Sequence, residues 1–223
     1  MKRTFPGPIE RTMAGDFQIP LAQASLSCHN SATKWRERLV DADFRGLVRA
    51  FHRAESLAEF ALLDAIEQVR PEHMSDLERQ REEEEKHVNV FASFLEGEVE
   101  TPVRPKPRVR PESVWYTLLL LNELTGFCQF SFLHALLPVS RQPILEDVMQ
   151  DEEEHVARLL RWMEPVWAGR GRGQAVKMVD RFRQDLPGRM EQFFEGPHLS
   201  GLRAEMHEHV DGLIGELKSR FVA

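Results

Sequence analysis

Cysteine and tyrosine are scarce in this 223-residue chain, with two of the first and one of the second. Cys28 and Cys128 cannot form a disulfide framework, and Cys128 sits in an apolar run where a buried thiol is expected. No apolar run approaches the roughly 20 residues needed to cross a bilayer. The opening "MKRTFPGPIERTMAGDF" has a charged start but no continuous apolar stretch before its prolines, so it does not read as a signal peptide. Basic excess is also lacking: the formal net charge of −7 disfavours general nucleic-acid binding. These absences lead to an expectation of a cytoplasmic protein with no membrane segment and one sizeable core.

Acidic residues are plentiful, and they are patterned. Residues 81 to 87 read "REEEEKH" and residues 151 to 155 read "DEEEH". Glu84 with His87 and Glu152 with His155 both fit Glu-x-x-His, offset by 68 residues. Glu55 and Glu123 share that offset, and each precedes its motif's glutamate by 29 residues. A charge run on a helix is usually a solvated face. Two half-bundles with the same internal spacing are the simplest account of six residues agreeing at one offset.

Apolar periodicity predicts helices almost throughout, after a polar leader over residues 1–34. Glu55 shares a helical face with Phe44, Val48, Phe51, Ala58 and Leu62; Glu84 and His87 lie with Leu77, Val88, Phe91 and Leu95 on a helix over about 72–99. Glu123 falls among Leu119, Leu120, Phe127 and Phe130 on a helix over 112–137. Glu152 and His155 align with Val148, Leu159 and Trp162 on a helix over about 143–164. The six polar residues therefore sit on apolar stripes. Four ionised carboxylates in a core are heavily penalised unless a compensating charge joins them. Two dications balance the carboxylates and take two neutral imidazoles as nitrogen ligands, while Glu82 and Glu85 turn to water. Residues i and i+3 share a helical face, so each motif's Glu and His can reach one metal centre.

Prolines at 102, 105, 107 and 111 predict an extended segment over 100–111. If the halves are related by a twofold, the flanking helices run parallel and this loop must return about 35 Å along the bundle. Its reach in polyproline form is about 34 Å. The basic residues within it read as a solvated crossover. Beyond "GRGRGQ", two more helices are expected over about 174–194 and 202–221, long enough to cover an active-site mouth or to form a dimer surface. The predicted organisation is a bundle over 35–165 with the terminal helices of 166–223 packed on the same domain.

Glu55, Glu84, His87, Glu123, Glu152 and His155 resemble the two-histidine, four-carboxylate pattern of the ferritin-like di-iron superfamily, which includes bacterioferritins, rubrerythrins and several di-iron oxygenases. The resemblance covers roughly residues 40–165. It implies an all-α, ferritin-like four-helix bundle with a long crossover, and two iron ions, manganese being possible. Glu84 and Glu152 would be terminal or bridging, and Glu55 and Glu123 would hold or bridge the pair. Resemblance to reductase-like sites pairs Asp151 with His87 and Glu83 with His155, and Tyr116, two turns before Glu123, could face the site. Rubrerythrin's four-cysteine module has no counterpart here. The radical tyrosine of ribonucleotide reductase is replaced by Phe91, and the extra histidine of arylamine N-oxygenases by Val148.

The expected function is a non-haem di-iron oxygenase or oxidase acting with dioxygen on a small organic substrate beside Phe127 and Phe130, supplied with electrons by an external reductase or ferredoxin. Two alternatives stay open: a ferroxidase or peroxide-reducing iron-handling protein, and a structural metal-binding bundle. A homodimer is expected.

Overall fold

The computed structural model describes residues 13–95, 99–100 and 102–222. Among them the chain is all-α, with seven helices packed as a bundle. These are α1 (Met13–Trp35), α2 (Asp41–Ile66), α3 (Pro71–Phe94), α4 (Glu112–Leu136), α5 (Gln142–Ala168), α6 (Arg172–Phe193) and α7 (Ser200–Val222), with a 3-10 turn at Pro197–Leu199. No helix among the described residues is long and apolar enough to cross a membrane.

Local chemistry sets several boundaries. Pro71 occupies the first turn of α3, where its missing N–H costs nothing and its fixed φ suits the helix. Asp43 accepts the Val40 N–H at the start of α2 (3.0 Å) and pairs with His198 (2.8 Å), tying α2 to the turn before α7. α4 is buried on nearly every side, from Trp115 to Ala135, as expected for a helix apolar all round. It is the centre of the molecule: α2 pairs mainly with α3 and α5 with α4, while α1, α6 and α7 also pack on α4.

The segment before α4 contains no regular element and lies along the end of α2. Arg104 pairs with Asp64 (2.8 Å), the Arg108 N–H donates to the same carboxylate (3.2 Å), and Gln68 exchanges hydrogen bonds with the Arg108 carbonyl and the Arg110 N–H. Arg70, at the start of α3, meets Glu112, at the start of α4, at 2.9 Å. Both helices therefore begin at one end of the bundle, and the chain travels back along it between them. Val103 and Val109 are almost fully exposed, so the return is stitched by polar contacts and not by burial.

Three boundaries differ from expectation. From Met13 onward the polar leader is helix α1, residues 1–12 lying outside the described part. Phe17, Leu21, Cys28, Ala32 and Trp35 form a narrow buried stripe on it, pressed against α4 and α7. Most polar residues of "QASLSCHNSATK" face outward and conceal that stripe, the buried Ser31 excepted, and Pro20 sits inside the helix. Likewise α5 continues through Pro165 to Ala168, and α3 ends at Phe94, residues 96–98 lying outside the described part.

Candidate metal centre

Four helices each bring one or two polar side chains to a single buried point: Glu55 from α2, Glu84 and His87 from α3, Glu123 from α4, Glu152 and His155 from α5. All six are at most 6 % exposed. Their placement follows from the stripes: each is flanked at helical spacing by core residues, so burying the stripe buries the polar group with it. Glu82 and Glu85 are exposed.

The six form two overlapping groups that could hold metal ions. In one, Glu55, Glu84, His87 and Glu152 bring ligand atoms within 4.8 Å of one another; in the other, Glu84, Glu123, Glu152 and His155 do so. Glu84 and Glu152 are common to both. The detailed distances agree: His87 Nδ1 lies 3.2 Å from Glu55 Oε2, 3.4 Å from Glu84 Oε2 and 3.5 Å from Glu152 Oε1. His155 Nδ1 lies 3.2 Å from Glu123 Oε2 and 3.6 Å from Glu84 Oε1. One Glu84 oxygen thus faces each histidine.

Behind the cluster, the outer nitrogens are braced crosswise. His87 Nε2 lies 3.1 Å from Asp151, which precedes Glu152 on α5, and His155 Nε2 lies 2.8 Å from Glu83, which precedes Glu84 on α3. A carboxylate at Nε2 takes the N–H there and leaves the Nδ1 lone pair facing the four glutamates. Lone pairs and carboxylate oxygens at 3.2–3.6 Å repel unless a proton or cation lies between them.

Electrostatics show the same demand. Burial and neighbouring carboxylates raise Glu55 and Glu152 well above the usual carboxylate range. Burial opposes a charged His87, but hydrogen bonds to Asp151, Glu55 and Glu84 prevail and push it up to about 12; the same contest, won by Glu123 and Glu83, pushes His155 up to about 9. Burial works against Glu84 ionisation, yet the histidines hold it down to about 2. Without a cation the cluster must therefore collect protons. Glu84 Oε1 is moreover buried with no hydrogen-bond partner. Two imidazole nitrogens and four carboxylates suit a pair of first-row divalent ions, so the residues fit the group their spacing implies.

Two further residues were not anticipated. Gln80 donates to Glu123 Oε1 (2.8 Å), and the Arg158 guanidinium donates to Gln80 Oε1 (3.0 Å); both side chains are buried. Gln80 is one turn before Glu84 and Arg158 one turn after His155, so their positions on the ligand-bearing faces were the available signal. Tyr116, expected near the site, is placed elsewhere: its hydroxyl donates to Glu112 (2.7 Å) and meets His73, beside Trp162. An acceptor one turn back on its own helix holds it toward the end of the bundle.

On the side away from the histidines, a cavity of about 240 Å³ opens onto all four carboxylates of the cluster. It runs between α2 and α4 beneath α6. Its walls differ from the expected Phe127 and Phe130. Phe130 stacks with Phe51 and Phe91 at centroid distances of 4.9–5.6 Å and fills the core, while Ala54, Ala58, Gly126 and Phe193 border the opening. Gly126 matters here because a Cβ would come within 3.5 Å of Glu152 Oε2.

Compared with protein-family models, curated proteins and solved structures, the chain finds no match.

Proposed function

We propose that this protein is a non-haem di-iron oxidoreductase, built as a ferritin-like bundle of α2 to α5 with a long crossover, that uses dioxygen to oxidise a small organic molecule. The observation that carries the reading is the cavity floored by the four carboxylates. A purely structural metal site has no use for such an opening, whereas a concave space with a few convergent polar groups is where a small molecule binds.

Glu55 with His87 would hold one ion, Glu123 with His155 the other, and Glu84 and Glu152 would serve both. Iron suits these donors, and manganese accepts them too. When bound, the ions supply dioxygen activation and electron storage. The chain's own residues do the rest. Asp151 and Glu83 keep the Nε2 protons and hold both rings in one tautomer. Gln80 and Arg158 fix Glu123. The Phe51, Phe91 and Phe130 stack excludes water from beneath. Hydroxylation balances as one C–H bond, one dioxygen, two electrons and two protons giving C–OH and water, the electrons coming from an external reductase or ferredoxin.

The test is anaerobic loading with Fe²⁺, elemental analysis, then dioxygen in the presence of small acids, amines, aldehydes and phenols. About two ions per chain and an oxygenated product are expected. Oxidation of many iron equivalents with no organic product would make it an iron-handling protein instead.

A further inference from the structure

The cavity has a second chemical character besides its carboxylate floor. Two arginines border it, Arg53 from α2 and Arg189 from α6. Arg189 is half-buried, and burial lowers its pKa. A half-buried cation without a carboxylate partner is costly, yet among the described residues Arg189 has no ion-pair partner, whereas Arg53 is exposed to water. Arg189 lies 4.3 Å over the ring of Phe182 and reaches the Asn122 side-chain oxygen at 3.5 Å. Stacking on an aromatic face fixes the guanidinium plane and leaves the N–H fork at its edge available. Phe182, Arg189 and Phe193 recur at helical spacing on α6, so the fork and an apolar ring are presented toward the same opening. Glu195, at the rim, is the one acid bordering the cavity besides the floor.

We propose that the cavity binds a small organic carboxylate: its acid group on the Arg189 fork, its apolar body against Ala54, Ala58 and Phe193, and its reacting carbon toward the floor shared by Glu84 and Glu152. This rests on the metal-centre reading, because four uncompensated carboxylates repel an anion and two dications neutralise them. A volume of about 240 Å³ admits an acid on the order of ten non-hydrogen atoms. A bidentate arginine and carboxylate pair matches charge and geometry together. The linkage is reciprocal: metal loading tightens the acid, and the acid tightens the metals.

Calorimetric titration of the Mn²⁺-loaded protein with octanoate, octanol, octylamine and octyl phosphate tests the assignment without turnover, with metal content measured on the same samples. Octanoate should bind at least about tenfold more tightly than octanol or octylamine, and Arg189→Gln should remove most of that preference while leaving bound manganese unchanged. An acid that merely ligated the metals would bind Arg189→Gln as well as wild type, and that result overturns the proposal. So does octylamine or octanol equalling octanoate, or octyl phosphate exceeding it, comparisons that need no variant. Full manganese content with no carboxylate preference sinks the anion site alone. A wild-type protein that holds no metal sinks the reading beneath it.

Discussion

Replacing Asp151 by Asn tests the crosswise bracing of the two histidines. The substitution keeps the shape and an acceptor oxygen for His87 Nε2–H but removes the charge that makes the imidazole a stronger donor to metal. Partners of this kind are worth about 10–100-fold in metal affinity, or about 1.4–2.8 kcal/mol. Within that range the structure ranks the two braces. Asp151 sits 3.1 Å from its histidine with its side chain 33 % exposed, so water screens it; Glu83 sits at 2.8 Å and is 16 % exposed. Asp151→Asn should therefore cost about tenfold at the His87 ion, and Glu83→Gln nearer a hundredfold at the His155 ion. Competition titrations with Mn²⁺ give both constants, and a double-mutant cycle assigns them: the Asp151→Asn effect should vanish in a His87→Ala background while the Glu83→Gln effect persists. If Asp151→Asn weakens binding equally in both backgrounds, or not at all, the bracing argument is wrong.

The shared carboxylates make a stoichiometric prediction. Glu84→Gln should lower occupancy of both ions, whereas Glu55→Gln should spare the ion beside His155, as counted by elemental analysis. Gly126→Ala should be tolerated, since its Cβ meets Phe130 at 3.4 Å, but Gly126→Leu should block the cavity and abolish turnover with metal content kept. Phe17→Ala, cutting the buried stripe of α1, should destabilise the metal-free protein by about 3–5 kcal/mol in urea. The double contact of Arg183 with Asp211, 2.6 Å on each side, joins α6 to α7, and the hydrogen bond from Arg183 holds Asp211 below the usual carboxylate range. A depressed folded-state pKa gives stability that is present above the unfolded value, about 3.9 for Asp, and lost as pH falls through the folded one. Thermal unfolding of wild type and Asp211→Asn should accordingly differ at pH 7 and converge toward pH 2.

The buried cluster was legible because a buried carboxylate is expensive and so stands out on an apolar stripe; the 68-residue repeat then supplied its partners. The crossover was legible because proline excludes helix and because reach is arithmetic. α1 was missed since a stripe of only five buried apolar residues is enough for it to dock against α4 and α7. The cavity wall was misplaced for a different reason: a phenylalanine near a site reads equally as pocket or as core. Only packing tells that Phe130 fills the stack while the missing side chain of Gly126 makes the space.

Repetition predicts equal halves, and the ligand set honours that, yet its surroundings do not. In the 68-residue register the counterparts of Gln80 and Arg158 are Val148 and Val90. Glu123 is consequently held through Gln80 by a buried guanidinium from outside the cluster, while its counterpart Glu55 meets His87 and Glu84, both members of the cluster itself. A carboxylate anchored from outside the cluster keeps its place when the charge beside it changes; one held only by other members of the cluster can swing when they rearrange. In a metal-loaded centre the end at Glu55 would therefore be the adaptable one. It lies on α2, whose Ala54 and Ala58 border the cavity, while α4 brings Gly126 and the anchored Glu123 to the same space, so a molecule bound there would meet one fixed and one adaptable carboxylate.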